Sequence, residues 1–214
     1  MAGKHANVFV ATDVLRMFPT FVWKAELEPG VCRGLNESII LRLEQIRRSD
    51  AKTAPDQSWQ SGHNLFQREE FHELANYVHE AVRHVLDFLK IGEVEFQISG
   101  CWANMNPPNA AHGRHNHPNN FLSGVYYVQT YRGSDTINFH DPRSQTDIIK
   151  PPVSELIAET TDQVVVKVKS GTVLIFPSWL THSVDAKKSD QIRISIRFNV
   201  MFSAYAETMS EPLW

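Results

Sequence analysis

The sequence predicts an α+β fold: a double-stranded β-helix (jelly roll) with N-terminal helices packed on one face. Three observations carry that expectation. The hydrophobic period changes near residue 92, short strand-like runs then follow one another without a helical crossover, and Pro107-Pro108, Gly133, Pro142, Pro151-Pro152 and Gly171 punctuate them. Parallel α/β sheets need crossover helices between strands, so a sandwich or jelly roll is the better reading. The chain of 214 residues suits one domain, with 1–92 mainly helical, 93–203 the β-helix core and 204–214 a tail.

Before residue 92 the period is helical. Ile39, Leu43 and Ile46 recur on one face after Asn36, read as an N-cap, and Arg47 and Arg48 suit the negative end of that helix. A second helix is marked by Phe71, Leu74, Ala75, Val78, Val82, Val85, Leu86 and Leu89, with an Asn64/Gln67 capping box to open it and Gly92 to close it. Met17, Phe18, Phe21 and Trp23 around Pro19 are expected in a strand that caps the core. From Glu93 the period is two: Val94, Phe96 and Ile98 alternate with polar residues, and strands are expected over 121–129, 136–140, 163–168, 172–176 and 191–202. Trp102, Trp179 and Phe121 are read as core.

Composition narrows the function. Apolar residues at 42% and charged residues at 21% describe an ordinary folded chain. A net charge of -3 with scattered basic residues argues against a nucleic-acid partner. No run approaches the roughly 20 apolar residues of a membrane span. Only Cys32 and Cys101 are present, which excludes a disulfide scaffold and a thiolate zinc site and fits the reducing cytoplasm.

The chemistry gathers around histidine. In GRHNHPNNFLSGVYYV, 113–128, His115 and His117 stand two apart, so an extended backbone sends both imidazoles to one side. An exposed pair of loop histidines would show the same pattern. The segment GTVLIFPSWLTHSV, 171–184, reads as a buried strand that stops at Pro177 and delivers His182 on the next extended stretch, as a distal ligand would be delivered. Three imidazoles from neighbouring strands suit divalent iron. In the following strand Arg193, Ser195 and Arg197 share one face while Ile192, Ile194, Ile196 and Phe198 share the other. Guanidiniums beside a hydroxyl suit a small carboxylate held bidentately, although a solvated edge strand would alternate in the same way. His112 and His140 are candidates to support the site, with ordinary loop placement the preferred reading; His72, His79 and His84 do not form HExxH and are expected at the surface.

The ordered set HNHP, LSGVYYV, GTVLIFPSWLTHSV and RISIRFN resembles the iron(II)- and 2-oxoglutarate-dependent oxygenases, in particular a bacterial, uncharacterised branch with an HxHPxxxLSGVYY core, over about 94–202. The resemblance implies the double-stranded β-helix, with His115, His117 and His182 as catalytic metal ligands. It also implies a 2-oxoglutarate site formed by Arg193, Ser195, Tyr127 and Asn104, with dioxygen as the other cosubstrate. The usual superfamily triad has Asp or Glu where this chain has His117. Either three histidines hold the metal, which is the preferred reading, or Asp141 of FHDPR enters from the next hairpin, although Asp-Pro is also ordinary turn chemistry. The implied activity is oxidation, by default hydroxylation, of a substrate the sequence does not name. A cupin-type three-histidine dioxygenase without 2-oxoglutarate is the alternative, opposed by the Arg-x-Ser strand; a non-catalytic metal-binding domain is the third.

Overall fold

The computed structural model describes residues 11–50, 57–143, 149, 152–186 and 188–206. Helix α1 spans Pro29–Ser49 and is opened by Glu28, whose carboxylate accepts the N–H groups of Gly30 (2.7 Å) and Val31 (3.0 Å). Asn36 is therefore no cap. It lies inside the helix, buried, where Nδ2 donates to the Val128 carbonyl (2.8 Å) and Oδ1 accepts from the Tyr126 hydroxyl (2.6 Å). A polar side chain in the apolar stripe is retained because it fastens the helix to the sheet below.

The capping box at Asn64/Gln67 is also absent. Asn64 precedes a single 3-10 turn, Leu65–Gln67, and makes no side-chain cap bond; Arg68 is extended, a second turn covers Glu69–Phe71, and α2 begins only at His72, running to Phe88. The two turns bury Leu65 and Phe71 before the helix starts. At its far end α2 closes on Lys90 rather than Gly92. Lys90 adopts φ 56°, its N–H donates to Asp87 (3.1 Å), and that of Ile91 donates to Leu86 (3.0 Å). This is a Schellman closure, made here by a residue other than glycine.

The strands are β1 (Trp23–Glu26), β2 (Trp59–Gln60), β3 (Phe96–Asn106), β4 (His112–His115), β5 (Leu122–Gln129), β6 (Thr136–His140), β7 (Gln163–Lys167), β8 (Thr172–Pro177), β9 (His182–Val184) and β10 (Arg193–Phe202), followed by a single helical turn, α3 (Ser203–Ala206). The five runs expected from alternation appear within one or two residues of their predicted ends. Val94 lies outside β3 and is exposed, and of the strand expected around Pro19 only Trp23 is found, opening β1 and packing on the larger core, while Met17, Phe18 and Phe21 lie outside any strand. Phe18, at 91% exposure, and Met17 face solvent; only Phe21 and Trp23 pack, both against Phe88, at 5.1 and 5.8 Å between ring centroids. β2 and β4 are too short to show a period.

All pairings between these strands are antiparallel, and an isolated parallel bridge joins Asn64 to Cys101. A six-stranded major sheet has the order β1-β8-β5-β10-β3-β2, and a four-stranded minor sheet the order β4-β9-β6-β7. Strands β1 and β2 therefore bring the N-terminal segment to both edges of the major sheet. Two clusters form the core. The larger joins α1 and α2 to the outer face of the major sheet through Leu43, Leu74, Val82, Met105, Ile196 and Phe198; the smaller, with Tyr127, Ile137, Phe139, Leu174 and Phe176, lies between the sheets. Gly124 of LSGVYYV, opposite Phe198 in the register, must lack a side chain: a Cβ there would collide with the Phe198 ring and approach the Leu174 carbonyl to 2.8 Å. No described helix is long and apolar enough to cross a membrane.

Candidate active site

The minor sheet brings the three expected histidines together. His115 closes β4 directly opposite His182 of β9. His117 follows two residues on, its N–H donating to the Ser178 carbonyl (2.9 Å). Ser178 is itself tied to the major sheet: its Oγ lies 2.8 Å from that of Ser123, which donates to Asn199 Oδ1 at 2.8 Å. One ligating nitrogen from each histidine lies within 4.8 Å of the others. Metal–imidazole bonds of about 2.1 Å can be made from such a cluster by small ring rotations.

The hydrogen bonds choose the reactive nitrogens. Nδ1 of His115 lies 2.8 Å from the Gly113 carbonyl and Nδ1 of His182 lies 3.0 Å from that of Leu180. A carbonyl only accepts, so both Nδ1 atoms carry the proton and Nε2 keeps its lone pair for a metal. Burial, reinforced by His115 and Arg197, pushes His117 down to about 4, and burial above all takes His182 down to about 3. His115 is also lowered, chiefly by burial. All three imidazoles are neutral near pH 7, the form a metal binds.

Asp141 does not join them. Its carboxylate is captured by Arg143 two residues later, with Nη2 to Oδ2 at 2.6 Å and Nε to Oδ1 at 2.9 Å, and that pairing holds its pKa below the usual range.

Opposite the histidines stands the inner face of the major sheet. Ser195 of β10 pairs with Asn104 of β3 on one side and Tyr127 of β5 on the other, and Arg193 pairs with Asn106. Arg193 is 3% exposed and Ser195 fully buried, and the Arg193 guanidinium carbon lies 6.0 Å from the centre of the Tyr127 ring. The basic face of β10 is thus interior, not a solvated edge. Among the described residues, Arg193 Nε, Ser195 Oγ, Asn104 Oδ1 and Asn106 Oδ1 have no hydrogen-bond partner. Buried polar atoms are nearly always paired in folded proteins, so four orphans on one wall mark a place built for a polar ligand. A cavity of about 210 Å³ opens beside Arg193, Asn106 and His112 but does not reach the three histidines.

The sequence missed several of these positions. His112 and His140 lie on strands instead of loops: His112 Nε2 is 3.4 Å from Asn106 Nδ2, and His140 Nε2 is 2.9 Å from Ser183 Oγ. Trp102 is buried but stacks on His63 (4.7 Å) near His117 (6.0 Å), outside both core clusters. Trp179 is 53% exposed, not core, whereas Phe121 packs on Phe202. His72 and His84 are exposed as expected, but His79 is half-buried on Phe96. Asn106 was legible, since Trp102, Asn104 and Asn106 alternate with the outward Cys101, Ala103 and Met105. Nothing local announces Gln60, whose Oε1 accepts from Asn104 (3.2 Å), or His63.

A double-stranded β-helix with three clustered imidazoles at one wall and a buried guanidinium with an unpaired nitrogen at the other is an arrangement that could hold a divalent metal and a small carboxylate together. Comparison with known proteins gives a match in the same direction: residues 100–199, a little under half of the chain and most of the β-helix, match the family described as "Putative 2OG-Fe(II) oxygenase". No curated protein matches at the level of sequence. Among solved structures, HygX from Streptomyces hygroscopicus, crystallised with nickel and 2-oxoglutarate bound, is 13% identical with a TM-score of 0.61 over 86% of this chain and 83% of its own. A prolyl-4-hydroxylase from Pseudomonas putida is 14% identical with a TM-score of 0.59, covering 86% of this chain and 93% of its own. The α-ketoglutarate-dependent carbocyclase SnoK of nogalamycin biosynthesis is 12% identical with a TM-score of 0.61 over 91% and 89%. These likenesses are of fold.

Proposed function

We propose that the protein is a hydroxylase of the 2-oxoglutarate-dependent class, acting as one domain, in which His115, His117 and His182 hold iron(II). Arg193 and Ser195 bind the C5 carboxylate of 2-oxoglutarate, with Tyr127 and Asn104 beside them. The observation that carries this reading is the buried Arg193–Ser195 pair with open hydrogen-bonding atoms across from the histidine cluster. A dianionic 2-oxo acid fits both walls: one end reaches a metal, the other meets a guanidinium and a hydroxyl. A cupin-type dioxygenase without 2-oxoglutarate would leave that pair unused.

Bound iron and 2-oxoglutarate together supply the oxidising power for dioxygen chemistry, with succinate as coproduct. The chain's own work is positional. The Gly113 and Leu180 carbonyls hold two imidazole protons on Nδ1, the Ser178 carbonyl fixes the backbone of His117, and the interior of the β-helix excludes water from the cosubstrate's apolar middle. Both cysteines among the described residues are free, in keeping with the cytoplasm as the place of action.

Anaerobic titration of the iron-loaded protein with 2-oxoglutarate tests the proposal. A visible absorption band that saturates with one equivalent is expected, followed by succinate release on admitting oxygen. Iron binding without any response to 2-oxoglutarate would favour the cupin-type chemistry instead.

A further inference from the structure

The proposed cosubstrate uses one of two interior guanidiniums. Arg197 is the other. It shares the inner face of β10 with Arg193, one step beyond Ser195, with Trp102 on one neighbouring strand and Val125 on the other. Trp102 borders His117, so Arg197 occupies the level of the histidine cluster. Burial is what chiefly lowers His112, His115, His117 and His182, and the Arg197 charge adds to it. It is half-buried, whereas Arg193 and Ser195 beside it are buried. Burial, then the charge of Arg193, brings it down to about 10, so it stays a cation near neutral pH.

Among the described residues no carboxylate forms an ion pair with either arginine. A charge taken even partly out of water is costly without a counter-charge, and the described residues offer none. The cosubstrate does not meet this need. Its two carboxylates are committed to the metal and to Arg193, and three neutral imidazoles add no negative charge. The remaining cation calls for an anion that arrives with another ligand. A lone planar guanidinium is matched most closely by a planar carboxylate held through two parallel hydrogen bonds; a phosphate would call for further donors.

We propose that the primary substrate is a carboxylate-bearing molecule whose carboxylate is anchored by Arg197 beside the metal cluster. The inference rests on the oxygenase reading and gives Arg197 a role in substrate choice separate from that of Arg193.

The test uses the full chain loaded with nickel, which binds without turnover, and saturated with 2-oxoglutarate. Calorimetric titration with benzoate is compared with neutral, isosteric benzamide in the parent, Arg197→Gln and Arg197→Lys. The parent is expected to bind benzoate and not benzamide; Arg197→Gln weakens benzoate by about tenfold or more while 2-oxoglutarate affinity stays within about threefold, and Arg197→Lys recovers part of the loss. The melting midpoint of metal-free Arg197→Gln is expected at or above that of the parent, because a half-buried cation without a counter-charge among the described residues has been removed. Absence of benzoate binding to the parent overturns the inference, as does a midpoint lowered by more than about 5 °C, which would make Arg197 a structural residue. If Arg197→Gln loses 2-oxoglutarate as Arg193→Ala does, Arg197 belongs to the cosubstrate and the oxygenase reading stands. Failure of 2-oxoglutarate to bind the parent at all would remove the reading itself.

Discussion

The two faces of β10 are both buried, yet they are finished differently. On the outer face Ile194, Ile196, Phe198 and Val200 meet α1, α2 and the outward residues of β3 in one apolar cluster, and none leaves a polar atom to satisfy. On the inner face Arg193, Ser195, Arg197 and Asn199 point between the sheets. Asn199 is satisfied by Ser123, while Arg193 and Ser195 keep open atoms. A face shaped only by stability would have paired or removed these groups, since each buried orphan costs about 1 to 3 kcal/mol. The outer face holds the fold and the inner face withholds part of its bonding for a ligand.

Substitutions on the two faces should therefore separate stability from binding. The largest expected effect on stability is at Ile196, fully buried against the helices: Ile196→Ala should lower unfolding free energy by about 2 to 5 kcal/mol in urea titration, with iron stoichiometry unchanged in the fraction that folds. A loss below about 1 kcal/mol would mean that the helix-covered face is not the principal core.

At the metal wall, His117→Ala should lose most iron after dialysis, His117→Asp should keep it through a carboxylate in the same place, and Asp141→Asn should match the parent because Arg143 already holds Asp141. Iron retained by His117→Ala but lost by Asp141→Asn would exchange the two roles.

The same wall gives a pH signature. His112, His117 and His182 have folded-state pKa values of about 3, about 4 and about 3, below the ordinary histidine value near 6.5, so the unfolded chain binds more protons through that interval. Their contribution is fully present above about pH 6.5 and is lost progressively as pH falls toward about 3. Denaturation midpoints of the metal-free protein between pH 7 and pH 4.5 should fall, and less steeply in His182→Gln; a slope unchanged by that substitution would contradict the assignment.

The smallest effect is expected at Ser195. Ser195→Ala removes an unpaired hydroxyl, so the metal-free protein should be as stable as the parent or slightly more so, while 2-oxoglutarate binds more weakly by about 0.5 to 1.5 kcal/mol in calorimetry. Loss of stability without loss of affinity would place Ser195 among the structural residues.

The same contrast explains what could be read from the chain. Short apolar runs bounded by Gly and Pro mark β5, β6 and β8, which are buried on both faces, and alternation separates the polar from the apolar face of β10. Alternation also sets His115 with His117 and Arg193 with Ser195, while the ordered motifs add His182 to them. Periodicity failed where tertiary contacts overrode local preference. Asn36 looks like a cap but bonds to β5, and the Asn64 turn is 3-10 because Leu65 and Phe71 must both be buried. Placement across the site was equally hidden. The capture of Asp141 by Arg143 and the stacking of Trp102 on His63 depend on side-chain geometry, and neither leaves a periodic trace in the sequence.

The claim that the inner face of β10 is a cosubstrate site is tested most directly by calorimetric titration of 2-oxoglutarate into nickel-loaded parent, Arg193→Ala and Arg197→Ala. Loss of a charge-assisted contact at Arg193 should weaken binding by about 1.5 to 3 kcal/mol, roughly ten- to a hundredfold, with Arg197→Ala close to the parent. Parent-like affinity in both variants would contradict it, whereas a larger loss at Arg197 would move the carboxylate contact from Arg193 to Arg197 on the same face.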